Sequence, residues 1–367
     1  MNWILIDLSV FICVMALCGI IIPQILLIAF RKKLFDTPDP RKIHKLEIPR
    51  LGGIAFFPSM MFAIFLLYGF GLYSGNNLVL SRLWENMQPL CFILSGAILL
   101  YLTGMADDLV GVRYKAKFIM QTISACLVIS GGMMLDNLHG LCGIGELPIA
   151  IAVPLTVLLI VFIINAINLI DGIDGLASGL SAVACVFYTY VFYQAGLYLF
   201  SALAVATLGA LVPFFIYNVF GNPQKHQKIF MGDTGALTIG LFLSVMSIRI
   251  CQIPDVLAHG NSAVIAFAPL LIPCLDVVRV YLHRIRAHKN PFMPDKSHIH
   301  HKLLAIGINQ RVAMPTIIGC SALFTLLNYL LAPIVDITLL LILDIAVWIG
   351  VNMVLSRMIY KRTGVKF

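Results

Sequence analysis

The chain has 367 residues, of which 60% are hydrophobic and only 11% charged, with a formal net charge of +8. A soluble domain carries roughly 25% charged residues, so the composition excludes that class, and long unbroken apolar runs exclude barrel strands, which alternate polar and apolar positions. The positive charge does not indicate nucleic acid, because Lys and Arg gather in short loops between apolar runs with no basic aromatic platform beside them.

A spanning helix needs about 20 apolar residues. Eleven such runs follow one another: 3–29, 52–73, 89–106, 118–135, 148–169, 174–194, 197–217, 234–251, 262–282, 313–332 and 334–356. The first has its basic residues (Arg31, Lys32 and Lys33) behind it and none ahead. That is the charge order of an anchor with its N-terminus outside, not of a cleavable signal. Loops 30–51, 107–117, 218–232 and 283–312, the tight turn 170–173 and the C-terminal tail then fall on the cytoplasmic side. Every Lys and Arg except Arg82 and Arg249 goes with them, a bias that one missing helix would destroy. The predicted fold is therefore all-α, a polytopic membrane protein of about eleven helices with its C-terminus cytoplasmic. Residues 1–367 form one membrane domain without internal repeats. The nine cysteines include no CxxC pair and read as small buried apolar groups, not as a disulfide framework or zinc site.

Five polar islands interrupt the apolar pattern on that one side. In 41–53, Arg41, Lys42, His44 and Arg50 precede Gly52-Gly53; they suit either a positive-inside anchor or an anionic lipid phosphate. In 107–117, the adjacent acids Asp107 and Asp108 precede Arg113, Lys115 and Lys117. Adjacent carboxylates repel, which raises one pKa unless a cation intervenes and suits a general base. In 165–175, Asn165, Asn168, Asp171 and Asp174 recur every third residue, with Gly172 and Gly175 breaking the helix. Residues three apart on a helix are neighbours, and oxygen-only ligands of this kind suit Mg²⁺, or Mn²⁺, carrying a diphosphate. A plain hydrophilic turn would not need four oxygen-bearing side chains flush with the membrane.

In 230–235, Phe230-Met231-Gly232-Asp233-Thr234-Gly235 opens an apolar helix. Asp233 there is either an N-cap for its own helix or a metal ligand, and Phe230 is placed to stack on a base. In 291–301, His298, His300 and His301 follow Pro294-Asp295-Lys296. No cysteine or HExxH pattern supports zinc, whereas histidines and lysines can donate to phosphate oxygens. Asp276 and Arg279 read as a structural helical ion pair. Acids confined to one face, with no repeat, speak against a cation-coupled transporter.

Taken in order, the Asp-Asp pair, the run from Asn165 to Leu176, Phe-Met-Gly-Asp and His-Ile-His-His resemble the polyprenyl-phosphate N-acetylhexosamine-1-phosphate transferases over roughly residues 30–305. His-Ile-His-His, with Asp36, Pro38, Arg41, Lys42 and His44, resembles the branch that loads UDP-N-acetylglucosamine. The peptidoglycan-precursor branch has consecutive histidines where Ile299 stands here. The resemblance implies a bacterial inner-membrane enzyme that uses a UDP-sugar and a polyprenyl (undecaprenyl) phosphate, with a divalent cation. It implies Asp233 as metal ligand with Asn168 or Asp171, and Asp107 as base with Asp108 tuning or orienting it. Asp174, Asn218 and Phe230 would hold uridine. His298, His300 and His301, with Lys115 or Lys117, would hold diphosphate oxygens. Another UDP-amino sugar or a peptide-bearing muramyl donor is the runner-up, and the oligomeric state, a homodimer included, stays open.

Overall fold

The computed structural model of the chain describes residues 3–35, 48–73, 86–253, 262–288 and 297–364. Arg41 and His44 lie outside the described residues, as does 291–296 of the histidine loop. The helices in chain order are α1 (Trp3–Lys32), α2 (Phe56–Tyr73), α3 (Met87–Val110), α4 (Tyr114–Ser130), α5 (Ile149–Ile170), α6 (Leu176–Gln194), α7 (Tyr198–Phe215), α8 (Gly232–Cys251), α9 (Ser262–Phe267), α10 (Leu271–Arg286), α11 (Ile299–Ala305), α12 (Gln310–Leu331) and α13 (Ile337–Thr363). Each expected span has a helical counterpart. Among the described residues ten helical stretches are long and apolar enough to cross a bilayer. The expected span 118–135 is the exception: α4 has 17 residues and carries Lys115 and Lys117 in its first turn. The helix begins before the apolar run because Arg113, Lys115 and Lys117 extend it into the polar layer, and it ends where Gly131-Gly132 turns the chain.

The span expected over 262–282 is also broken. A short 3-10 turn, Ala268–Leu270, separates α9 from α10 at Pro269, which has no N–H to continue the ladder. Between α4 and α5 a two-stranded hairpin, Asn137–Leu141 paired antiparallel with Ile144–Glu146, packs at the end of the bundle away from the polar islands. His139 Nε2 meets Cys251 O at 2.6 Å and Cys142 N donates to Thr338 Oγ1 at 2.8 Å, so the hairpin touches the ends of α8 and α13.

The core is organised around α8. Every residue of this helix except Gly232, Asp233 and Arg249 is buried, so it is apolar all round, as a central span must be. It packs on α3, α5 and α6. Its buried hydroxyls bond within the helix, Thr238 to Thr234 O and Ser247 to Leu243 O, which spares each an unpaired polar group in the hydrocarbon layer. Tyr188 of α6 ties in the short α9 by donating to Ala266 O at 2.8 Å. The outer helices expose large apolar side chains such as Phe62, Phe65, Leu326 and Ile342, an exposure that lipid contact explains. The described parts of all five islands gather at the opposite end, where α3, α5 and α10 finish and α4, α6, α8 and α11 start.

Candidate active site

Adjacent residues on a helix point about 100° apart, so Asp107 and Asp108 at the end of α3 reach different partners. Asp107 accepts the Val112 N–H at 2.6 Å and the Lys117 ammonium at 3.0 Å. Asp108 crosses to the start of α8. It accepts the N–H of Asp233 at 2.8 Å, the N–H of Thr234 at 2.9 Å and the Thr234 hydroxyl at 2.6 Å. The first amides of a helix have no partner within it, and an anion there is favoured by the helix dipole. Asp108 thus caps α8 from another helix, and this replaces the expectation that it tunes or orients Asp107. Gly104, one turn earlier, permits the approach: a Cβ there would lie 2.5 Å from Thr234 Cα. Asp108→Ala will therefore lower stability by about 1–2 kcal/mol, read as an earlier thermal transition in detergent. An unchanged transition would remove the capping role.

Because Asp108 fills that cap, the Asp233 side chain is released from it. Its Oδ1 accepts from Asn168 Nδ2 at 2.6 Å and lies 3.4 Å from Lys117 Nζ. Lys117 therefore sits between Asp107 and Asp233, two carboxylates that would otherwise repel. Lys115 points to the exposed surface instead. Of the two lysines offered by the sequence, Lys117 alone joins the acids among the described contacts.

The turn after α5 brings the third island in. Helix α5 ends at Ile170, and α6 begins after Gly175, which adopts a left-handed conformation with φ 76°. The stripe of four does not stay together. Asn165 donates to Gln121 Oε1 of α4 at 2.7 Å, while Asn168 serves Asp233. Asp174 pairs with the buried Lys228 at 2.5 Å, a partner that the sequence offered only as part of a basic loop. Asp171 is half-buried. Loss of water and then the negative Asp174 push its carboxyl up to about 7, with Asp233 and Asp108 adding and Arg50 opposing. The same electrostatic neighbourhood therefore contains four other charged groups from four segments.

Asn218 lies in a widened helical turn, Ile216–Phe220, that follows α7. Its Oδ1 accepts the Gly175 N–H at 2.6 Å and its Nδ2 donates to Ile229 O at 2.8 Å. Each end of this buried amide makes one bond to backbone, so Asn218 supports the turn beside which the resemblance places uridine. Phe230 is half-buried, and its backbone is sewn to the first island: Phe230 N donates to Pro49 O at 2.9 Å and Gly52 N to Phe230 O at 2.9 Å.

The histidines flank the same turn. Gly172 lets the His300 ring lie against the backbone; a Cβ there would be 2.3 Å from Nε2. His300 is 1% exposed, and neither ring nitrogen has a hydrogen-bond partner among the described residues. Burial, with His301 and His298 beside it, pushes its pKa down to about 3. His300 is therefore neutral near pH 7, and any hydrogen bond it gives a phosphate oxygen is that of an uncharged ring. The unfolded ring titrates near 6.5, so the unfolded chain binds this extra proton between about pH 6.5 and 3. The stability contributed by neutral His300 is fully present above that window and drains as pH falls through it. His300→Gln will flatten the acid side of a melting-temperature profile; an unaltered profile would assign that sensitivity elsewhere. His298 behaves differently, with Nδ1 2.8 Å from the buried Asp276. Asp276 also pairs with Arg279 at 2.8 Å. The sequence reading saw the helical pair but not that it reaches the histidine motif.

Among the described residues no group of three His, Cys, Asp or Glu side chains is arranged as a metal cage. Mg²⁺ does not require one: it binds through one or two carboxylates plus waters and substrate phosphates. The donors at hand, Asp233 and Asp171 carboxylates with the Asn168 amide, are all hard oxygens, and Asp171 is a carboxyl whose anion needs a cation at neutral pH. The donor set fits a small divalent ion.

The chain is similar to known proteins along most of its length. Residues 90–251 match glycosyl transferase family 4. The chain is 31% identical over 345 residues to a probable undecaprenyl-phosphate N-acetylglucosaminyl 1-phosphate transferase of Bacillus subtilis, covering 94% of this chain and 87% of that protein. It is 28% identical to an undecaprenyl-phosphate alpha-N-acetylglucosaminyl 1-phosphate transferase of Yersinia pestis, over 82% of this chain and 78% of that one. A decaprenyl-phosphate N-acetylglucosaminephosphotransferase of Mycobacterium tuberculosis shares 30%, over 78% and 72%.

Proposed function

The chain belongs to the polyprenyl-phosphate N-acetylglucosaminyl 1-phosphate transferases of glycosyl transferase family 4, and from that premise we propose that it moves GlcNAc-1-phosphate from UDP-GlcNAc to undecaprenyl phosphate. The product is a lipid-linked diphosphate sugar that starts a cell-envelope glycan, and UMP is released. An oxygen of the lipid phosphate attacks the β-phosphorus of the donor. The bond from that phosphorus to the UMP oxygen breaks, and UMP leaves with the electron pair. One displacement suffices, because the attacking phosphate is already anionic and needs no covalent carboxylate intermediate.

Both reactants are anions, so the site must supply positive charge and alignment. Mg²⁺, or Mn²⁺, would supply charge neutralisation at the donor diphosphate, held by Asp233 with Asn168 or Asp171. Lys117 lies between the two acids and is placed to lead the lipid phosphate to Asp107. Asp107 accepts the proton of a singly ionised acceptor. Asp174 and Lys228, near Phe230, mark the side for the nucleoside. The site lies on the cytoplasmic face of the bacterial inner membrane, where nucleotide sugar is available and the lipid acceptor reaches the helix ends.

The observation that carries this reading is the Asp107–Lys117–Asp233 contact, which joins three helices at the end of the apolar spans. The test is UMP release by purified protein in detergent, with undecaprenyl phosphate and a panel of UDP-sugars. UDP-GlcNAc will be the best donor. Release only with another UDP-amino sugar or with the muramyl-pentapeptide donor would change the substrate. No release with any of them would sink the transferase reading.

A further inference from the structure

The three rings of the histidine motif are chemically unlike one another. His300 is sealed against Gly172 with both nitrogens unpartnered among the described residues, and its ring lies parallel to His298 at 5.8 Å and beside His301 at 4.3 Å. His298 has a carboxylate on one nitrogen. That carboxylate, Asp276, is completely buried on α10 and is surrounded by donors. Arg279 gives it Nη2 at 2.8 Å and Nε at 3.3 Å, the Ile299 N–H lies 3.1 and 3.2 Å from its two oxygens, and His298 Nδ1 lies 2.8 Å from Oδ2. Arg279 also donates to Ser297 O. One anion thus fixes the start of α11, the backbone on either side of His298, and the ring itself.

A buried carboxylate only accepts hydrogen bonds, so the nitrogen facing it must carry the hydrogen. The geometry assigns Asp276 as a positioning residue that holds His298 with its hydrogen on Nδ1 and presents Nε2, the only nitrogen left, to the donor diphosphate. Nε2 makes no hydrogen bond among the described residues. When the donor diphosphate arrives, Nε2 takes up one proton from solvent water and donates it in a hydrogen bond to a phosphate oxygen, while Nδ1–H stays on Asp276. Among the described residues, the charged or titratable groups close to this ring include Asp276 and Arg279 from α10 and His300 from α11. Asp276 acts on both rings, but it is hydrogen-bonded to His298 and only a more distant charge for His300. Carboxylates that hold the far nitrogen of a metal-ligating histidine act by orienting the ring, and their loss typically costs about 10–100-fold; a loss of the same order is expected here.

The diphosphate in this inference comes from the transferase reading above, but its first test does not. Nitrogen-15 NMR of histidine-labelled wild-type protein, with His298 assigned by His298→Asn, will show hydrogen on Nδ1 of the free enzyme and on both nitrogens with UDP and Mg²⁺ bound. A His298 carrying its hydrogen on Nε2 alone overturns the proposal, whatever the enzyme transfers. The second test is kinetic. Asp276→Asn will lower kcat/KM for the UDP-sugar by about 10–100-fold and leave KM for the lipid phosphate within about threefold. The double variant with His298→Asn will be no worse than His298→Asn alone, since the two act as a unit. Equal loss for both substrates, or losses that multiply, would make Asp276 a general support of the fold and end the assignment. A wild-type enzyme with hydrogen on Nδ1 that transfers no sugar phosphate would sink the transferase reading and leave the positioning role standing.

Discussion

Asp233→Asn will lower turnover by about 10³-fold while the helix bundle stays folded. The two effects separate because of how α8 starts. Its first free amides are satisfied by Asp108, not by Asp233, so the Asp233 carboxylate contributes little to the cap. What the substitution removes is the charge opposite Lys117 and the acceptor for Asn168. An amide at 233 must turn one of its own donors away from the Asn168 amide, and it gives a divalent ion a neutral ligand in place of an anion. Circular dichroism and the thermal transition will match wild type, and half-maximal activation will move to higher Mg²⁺. A variant with an unchanged Mg²⁺ titration would contradict the ligand role even if it were slow.

Asp107→Asn will lower kcat by at least about 10²-fold, the usual contribution of a positioned general base, and the loss will depend on pH. The second ionisation of a phosphate monoester lies near pH 6. Below it the lipid acceptor carries a proton that must be removed, and above it none remains. The deficit of the variant will therefore be greatest near pH 6 and will shrink towards pH 8. A deficit of equal size at both ends would show that Asp107 does not take that proton and serves instead to hold Lys117, which it meets at 3.0 Å.

Ten helical stretches among the described residues were legible because each is an apolar run long enough to cross a bilayer. Less legible were the elements whose causes lie in contacts across the fold. Helix α4 starts early because Lys115 and Lys117 extend it into the polar layer, a feature invisible to hydropathy. The break at Pro269 and the hairpin at 137–146 are short features inside or between long runs. At the site, sequence could pick the residue types but not divide their labour. Asp107 and Asp108 are adjacent letters, yet helix geometry sends one to Lys117 and the other to the backbone of α8. Asn218 carries an amide that suits a base, and it also bonds the backbone of Gly175 and Ile229. The His-Ile-His-His spelling does not reveal that Asp276 is hydrogen-bonded to the His298 ring and not to that of His300. Lys228 and Asp276 were missed because a lysine in a basic loop and an acid one turn from an arginine both have ordinary explanations until the chain folds. The spacing of Asp276 from Arg279 was visible; its reach across to His298 was not.

Everything catalytic in this account requires that the end of α3, the turn after α5, the start of α8 and the start of α11 share one face of the membrane. The direct test is cysteine labelling in sealed, oriented vesicles, after the nine native cysteines are replaced. Lys115→Cys lies beside the acid pair and Arg311→Cys beside α11, both at exposed positions, while Gly145→Cys marks the hairpin at the other end. A membrane-impermeant maleimide will label positions 115 and 311 from the same side and position 145 only from the opposite side. Labelling of positions 115 and 311 from opposite sides would show that the acids and the histidines never meet, and the site would not exist.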